Sequence, residues 1–394
     1  MPGFEFFDQR EIDAVADVIG RKMVHRYSFN DCRDGIYRVE EFENAVAEMV
    51  GSRFCLAVSS GTAALYVGLK AMGIEPGDRI ITSPFTFIAT VEAMAECGAV
   101  PVFADVDESL NMDPRSVESL IDDRTKAVMP VHMFGSAADM DPIAKICSAH
   151  GLKLLEDSCQ AMGATYKGRY VGTIGAWGSY SLDPYKLLTV GEGGLVVTDD
   201  EELYRTMEYS HDHGHVHDKS IDRGAERKSG LGMNFRMSEI QGAIGLVQVD
   251  KMLGAVKALR ENKAKVLKSV GDVPGLVRRS FADQDGEIAT QLVYILPDGE
   301  SAKRFQAASA EAGVGCGILS GNTWHYARHW DSLRDWAERS RARGVDAPEY
   351  LPEDMAITEG ILSRAVVYGI RVTASDESLE TMAKAIKAGA AAAL

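Results

Sequence analysis

From about Phe54 to Val197, short β-branched or apolar runs alternate with amphipathic stretches, the pattern of β-α units wound around a mainly parallel sheet. Seven runs qualify as strands: Phe54–Val58, Arg79–Thr82, Val100–Ala104, Ala127–Val131, Leu152–Glu156, Gly178–Leu182 and Gly194–Thr198. Between them, Ala63–Met72, Ala89–Cys97 and Met140–His150 carry apolar residues at helical spacing. A longer helical pattern occupies Met237–Leu259, with Ser238 as its N-cap and Glu239 and Gln241 in the first turn.

Beyond about Asn262 the pattern becomes α+β, with strands expected at Ala289–Ile295 and Ala365–Val372 and an Ala-rich closing helix from Glu377. The chain therefore divides into a large domain with an N-terminal arm, residues 1–250, and a smaller C-terminal α+β domain, residues 251–394. The final Ala-Ala-Ala-Ala-Leu reads as a fraying helix end.

Composition narrows the class. Hydrophobic residues at 46% and charged residues at 25% are ordinary for a globular enzyme, and 42 Lys+Arg against 58 Asp+Glu, a formal charge of -16, disfavours a nucleic-acid partner. Six scattered cysteines without a C-x-x-C pair read as reduced thiols, and neither a leader-like N-terminus nor a long apolar run is present, so a cytoplasmic protein without a membrane span is expected.

Three segments carry chemistry. Ser59-Ser60-Gly61-Thr62-Ala63 joins a strand to a helix, and Gly61 with the helix N-terminus suits an anion, though an ordinary capped turn has the same composition. Leu154-Leu155-Glu156-Asp157 ends a strand in two acids, where open α/β sheets meet their ligands; a cap or surface acid is the plain alternative. In Ser181-Leu182-Asp183-Pro184-Tyr185-Lys186, followed by Gly191-Glu192-Gly193-Gly194, a lysine in a segment of low charge suits an amine that must react in neutral form. A snorkelling lysine is the alternative there.

Together, and in this order, these segments resemble the DegT/DnrJ/EryC1/StrS sugar aminotransferases. Pro84-Phe85-Thr86-Phe87-Ile88-Ala89-Thr90, Val131-His132-Met133-Phe134-Gly135, Glu156-Asp157-x-x-Gln160-Ala161 and Asn234-Phe235-Arg236-Met237-Ser238-Glu239 carry the likeness, densely from Phe54 to Gln248. The resemblance implies the fold-type I architecture of enzymes dependent on pyridoxal 5′-phosphate (PLP): a large domain with a mainly parallel seven-stranded sheet plus the smaller α+β domain. It implies Lys186 as the lysine that holds PLP as a Schiff base and moves the substrate proton, and Asp157 as partner of the pyridine nitrogen. Gln160 matches the position near the phenolic oxygen, Phe87 the ring that stacks on the cofactor, and Gly61, Thr62 and Ser181 the phosphate binders. Asn234 matches an asparagine that reaches the neighbouring subunit's phosphate, which implies a homodimer with shared sites.

Within the family the chain resembles transaminases making 8-amino-8-deoxy-octulosonate, an amino form of the acidic sugar Kdo. Met1-Pro2-Gly3-Phe4-Glu5, His25-Arg26-Tyr27-Ser28-Phe29, Asp212 to His217, Asp222 to Glu226 and Trp324-His325-Tyr326 carry it. The expected partners are an amino donor, glutamate, and a keto-sugar, with His213, His215, Arg223, His325 and Tyr326 as substrate-binding residues. His211, His213, His215 and His217 would share one face if extended, but Gly214, Asp212 and Asp218 favour a loop, and no metal is expected. Retention of Lys186 argues against a dehydratase, and retention of both Lys186 and Asp157 against a non-catalytic binding protein. A PLP enzyme of bond formation or elimination and a nucleotide-sugar aminotransferase remain as alternatives.

Overall fold

Runs of apolar residues become fully buried strands here because helices cover both faces of the sheet they build. A computed structural model describes residues 3–394, so Met1 and Pro2 of the opening segment lie outside the described residues. The strands are β1 (Phe54–Val58), β2 (Arg79–Thr82), β3 (Val100–Phe103), β4 (Thr125–Val128), β5 (Lys153–Leu154, resuming at Glu156–Asp157), β6 (Gly178–Ser181) and β7 (Gly194–Thr198). Two ladders, β3-β2-β4-β5 and β5-β6-β7-β1, meet in the two halves of β5. They join across the break because Leu155 N–H donates to Val128 O (3.0 Å) and Asp157 bridges Val131 in parallel. The result is the seven-stranded sheet expected from sequence, with β7 alone running against its neighbours.

The helices up to residue 270 are α1 (Gln9–Arg21), α2 (Arg38–Val50), α3 (Gly61–Ala71), α4 (Ile88–Glu96), α5 (Met140–His150), α6 (Glu201–Ser210) and α7 (Glu239–Val270), with one further short turn of helix at Pro114–Val117. The start of α7 is fixed by a reciprocal capping box: Ser238 Oγ accepts from Gln241 N–H (3.3 Å) and Gln241 Oε1 accepts from Ser238 N–H (2.8 Å). Its end is not at Leu259. The helix continues to Val270, so the boundary expected between residues 250 and 251 falls inside it. The later turns stay helical because they bury Asn262, Lys263 and Val266, and Asn262 Nδ2 donates to the carbonyls of Arg371 and Val372 (2.9 and 3.2 Å).

The C-terminal region adds an antiparallel sheet of β8 (Val277–Arg278), β9 (Gln291–Ile295), β10 (Gly317–Ile318) and β11 (Ala365–Gly369), in the order β8-β9-β11-β10. The helices are α8 (Gly299–Glu311), α9 (Asp331–Arg341), α10 (Ala356–Leu362) and α11 (Asp376–Ala393). The terminal alanines do not fray. Ala390 and Ala393 are buried, and Arg304 donates to the carbonyls of Ala392 and Ala393 (both 3.2 Å), which cap the last turn. Among the described residues no helix is long and apolar enough to cross a membrane.

Glycines on α7 separate two kinds of position. A Cβ on Gly242 would lie 2.6 Å from Val39 N in α2, whereas one on Gly254 meets nothing within 4 Å. Gly242→Ala is therefore expected to destabilise the protein by about 1–3 kcal/mol and Gly254→Ala to stabilise it by about 0.5–1 kcal/mol, opposite signs within one helix that equilibrium urea unfolding will report.

Candidate active site

The carboxyl ends of β5 and β6, the amino ends of α3 and α4, and the turn at Trp324–His325 enclose a cavity of about 550 Å³. At its α3 end, Ser60 Oγ accepts from Ala63 N–H (3.0 Å) and Ser60 O from Ala64 N–H (3.0 Å). The amides of Gly61 and Thr62 are left at the positive end of the helix, where an anion is favoured. Glycine is required at 61 because a Cβ would stand 2.7 Å from Ser181 Cβ, so β6 and the turn approach one another closely.

The acid pair on β5 splits by strand alternation. Glu156 points away from the cavity and is fully buried. Its Oε1 accepts from the amides of Ile174 and Gly175 (both 2.6 Å) and its Oε2 from Gly172 N–H (2.7 Å), with His132 Nε2 at 3.1 Å. His132 Nδ1 accepts from Ala138 N–H (3.0 Å), which leaves the ring proton on Nε2, facing Glu156. Asp157 faces the cavity. Its Oδ1 accepts from Cys159 N–H (3.0 Å) and its Oδ2 from Thr90 Oγ1 (2.6 Å).

Lys186 Nζ lies 3.2 Å from Asp183 Oδ2, which also accepts from Ser181 Oγ (3.1 Å). Asp183 was not singled out from sequence. Its signal was an acid two residues after the serine, where its Oδ1 caps the turn by accepting from Tyr185 N–H (2.8 Å). Gln160 lines the same cavity, and its Nε2 is buried without a partner, a donor left for a ligand. Phe87, at the N-cap of α4, lies nearly parallel to Trp324 (centroids 6.2 Å, 19°) and 5.7 Å from His325. Burial, aided by the charge of Lys186, pushes the His325 imidazole down to about 4.

Not every expected residue arrives here. Tyr326 does not line the cavity: its ring is fully buried among core residues and its hydroxyl donates to Met355 O (3.4 Å), so neighbouring positions 325 and 326 point to opposite sides of the turn. His215 is buried against Glu226 (Nδ1 to Oε2, 2.5 Å), and Arg223 donates to Asp212 Oδ1 (2.6 Å). His213 is exposed, and so is Asn234, outside this chain's cavity. The four histidines do not share a face, because left-handed backbone at His213, Gly214 and His217 coils the segment. His211 Nε2 meets Tyr27 Oη at 2.9 Å, and the His217 ring stacks on Tyr27 at 3.6 Å. His217 and Arg223 line a separate cavity of about 670 Å³ with Arg26, Tyr27 and Glu43. Among the described residues no three His, Cys, Asp or Glu side chains are grouped to hold a metal.

The DegT/DnrJ/EryC1/StrS aminotransferase family profile matches residues 34–387. The spore coat polysaccharide biosynthesis protein SpsC of Bacillus subtilis is 39% identical over 272 residues, covering 67% of this chain and 69% of that protein. GDP-perosamine synthase of Caulobacter vibrioides is 39% identical over 216 residues, 54% of this chain and 57% of that one. The crystal structure of 3-amino-5-hydroxybenzoic acid synthase superposes with a TM-score of 0.82 at 28% identity, covering 98% of this chain and 97% of that one. None of these three names is that of a transaminase of Kdo-type sugars.

In chemical kind the cavity suits PLP: helix amides for a phosphate, a carboxylate for a ring nitrogen, an unpartnered amide donor for a phenolic oxygen, an aromatic plate and a lysine for an aldehyde. Since His325 is held neutral, its ring resonances should remain those of the uncharged imidazole from pH 8 down to 5 in an NMR titration. The sign of the linked stability follows: the unfolded chain takes up this proton near pH 6.5 and the folded one only near 4, so stability is lost as pH falls through that interval.

Proposed function

The chain belongs to the DegT/DnrJ/EryC1/StrS aminotransferase family and is a PLP-dependent aminotransferase, and from that premise we propose that it moves an amino group from glutamate to the carbonyl of a keto-sugar. The observation that carries this reading is the convergence of Asp157, Lys186 and the amino end of α3 on one cavity. PLP supplies, when bound, an electron-withdrawing ring that lets the donor's Cα–H ionise.

The chain's own residues do the rest. Gly61, Thr62 and Ser181 would hold the phosphate, Phe87 would stack on the ring, and Gln160 would donate to the phenolic oxygen. The Asp157 carboxylate would keep the ring nitrogen protonated, and the Lys186 amine would hold the cofactor and, once displaced by the donor, move a proton from the donor's Cα to the cofactor and, in the second half-reaction, from the cofactor to the acceptor's former carbonyl carbon. Asp183, at 3.2 Å, is the acceptor beside that amine when it is charged. His325, neutral at the rim with Trp324, offers a hydrogen bond to the incoming sugar without adding charge.

For the acceptor we propose an acidic keto-sugar free of nucleotide, an 8-keto form of Kdo, on the likeness in Asp212 to His217 and Trp324 to Tyr326. A nucleotide-linked keto-sugar is the second reading, favoured by the likeness to GDP-perosamine synthase. In single turnover, glutamate should convert the bound cofactor to its amino form, and the productive acceptor should reverse the change. Lys186→Ala should abolish both and the borohydride-reducible link to protein. Reversal by a nucleotide-linked keto-sugar, with none by the free acid, overturns the first acceptor reading and leaves the aminotransferase standing.

We further propose a homodimer in which Asn234 serves the partner's phosphate. Leu231 and Met233, exposed apolar side chains just before it in sequence, support a covering subunit there. Lys186→Ala and Asn234→Ala proteins, each inactive alone, should regain about a quarter of wild-type activity after subunit exchange, because half of the dimers are hybrids with one complete site.

A further inference from the structure

The face of α4 that presents Phe87 to the cavity also carries a hydroxyl that neither the family likeness nor the proposed reaction assigns. Thr90 lies three residues after Phe87, on the same side of the first turn. Thr90 and Thr86 are both buried, their hydroxyl oxygens 2.6 Å apart, and Thr90 Oγ1 lies 2.6 Å from Asp157 Oδ2.

The direction of this chain follows from what each group can do. An ionised carboxylate only accepts, so the single Thr90 proton goes to Asp157. The Thr90 oxygen is then the acceptor for Thr86, and the order is Thr86 to Thr90 to Asp157. Thr86 is itself fixed, since its N–H donates to His325 O at 2.9 Å. The other carboxylate oxygen is held by Cys159 N–H at 3.0 Å. Each oxygen of Asp157 thus has one internal donor and keeps a lone pair for the cavity. Chains of aligned hydroxyls polarise one another, so the pair stabilises the negative charge more than one threonine would.

We propose that Thr90, backed by Thr86, is a positioning residue for the reaction: its hydroxyl orients the Asp157 carboxylate toward the cavity, and so maintains the protonated ring nitrogen of the cofactor. The proposal rests on the role given above to Asp157. Valine would fill the space of threonine and remove the hydroxyl, leaving Asp157 Oδ2 without its donor and the buried Thr86 hydroxyl without its acceptor. Serine would keep the donor and lose a methyl group.

The test uses holoenzyme loaded with PLP carrying ¹⁵N in the ring, whose NMR shift reports protonation of the nitrogen independently of turnover. In Thr90→Val the resonance should move toward unprotonated pyridine, and the rate constant of the glutamate half-reaction should fall about ten- to a hundred-fold, the worth of one hydrogen bond to a charged group. The glutamate KM should stay near wild type, because Thr90 does not touch the donor. Thr90→Ser should restore both signals, and Thr86→Val should move them in the same direction by less. Should Thr90→Val not fold, Thr86→Val carries the test, since it withdraws the donor behind Thr90 and leaves Thr90 in place. A pyridinium resonance and half-reaction rate unchanged in the folded valine variant overturn the proposal, as does a serine variant as impaired as valine. Asp157→Asn separates the two levels: if it too leaves the resonance unchanged, the role of Asp157 itself fails, and if it alone moves the resonance, only the role of Thr90 does.

Discussion

Two adjacent carboxylates are buried on β5, and the site depends on each being held by donors. Removing a charged carboxylate from water is strongly unfavourable unless its acceptor positions are filled. Glu156 fills them with three backbone amides and His132, fastening the 172–175 segment to the sheet. Asp157 takes only two donors and turns its remaining capacity toward the cavity. The same strand therefore supplies a structural anchor on one face and a chemically available anion on the other, and the break at Leu155 unites the two halves of the sheet at that point.

Charge at the opposite end of the cavity has a different origin. Among the lining residues Lys186 is accompanied by Asp157, Asp183 and Glu192, so the side chains are on balance acidic. Attraction for an anion comes from the backbone, through the amino end of α3, and that requires the turn to lie against β6. Gly61 permits this contact, and Gly194 does the same on β7, where a Cβ would meet Ser60 O at 2.2 Å. An acidic chain can thus hold a phosphate without a basic surface.

Much of this was legible in the residues. Strands buried on both faces read as apolar runs, so Phe54–Val58, Arg79–Thr82 and Gly194–Thr198 have the boundaries expected, and Ser238 and Gln241 announced the start of α7. Asp157, Gln160, Ser181 and Lys186 line one cavity because motif order along an α/β chain maps onto strand ends. What escaped detection depends on long-range contacts or on local turns. Tyr326 faces the core while His325 faces the cavity, a distinction set by the bridge between Phe85 and Tyr326. Periodicity ended α7 at Leu259, since its later turns are held by Arg371 and Val372, more than a hundred residues on. The loop over His211–His217 was expected from Gly214 and its neighbouring acids, but not its left-handed turns at His213 and His217, and Thr90 drew no attention because a threonine near a helix start is commonplace.

The 32 residues of α7 form one unbroken rod, about 48 Å long at the usual rise per residue. One end is gripped by α1 and α2, the other by α11. Small displacements are magnified along such a lever: a tilt of about 5° at the capped end sweeps Val270 through about 4 Å. The close packing of Gly242 and Gly245 against Val39 and Phe42 therefore fixes the direction of the whole rod, down to the turns that bury Asn262 and Val266 against the C-terminal region.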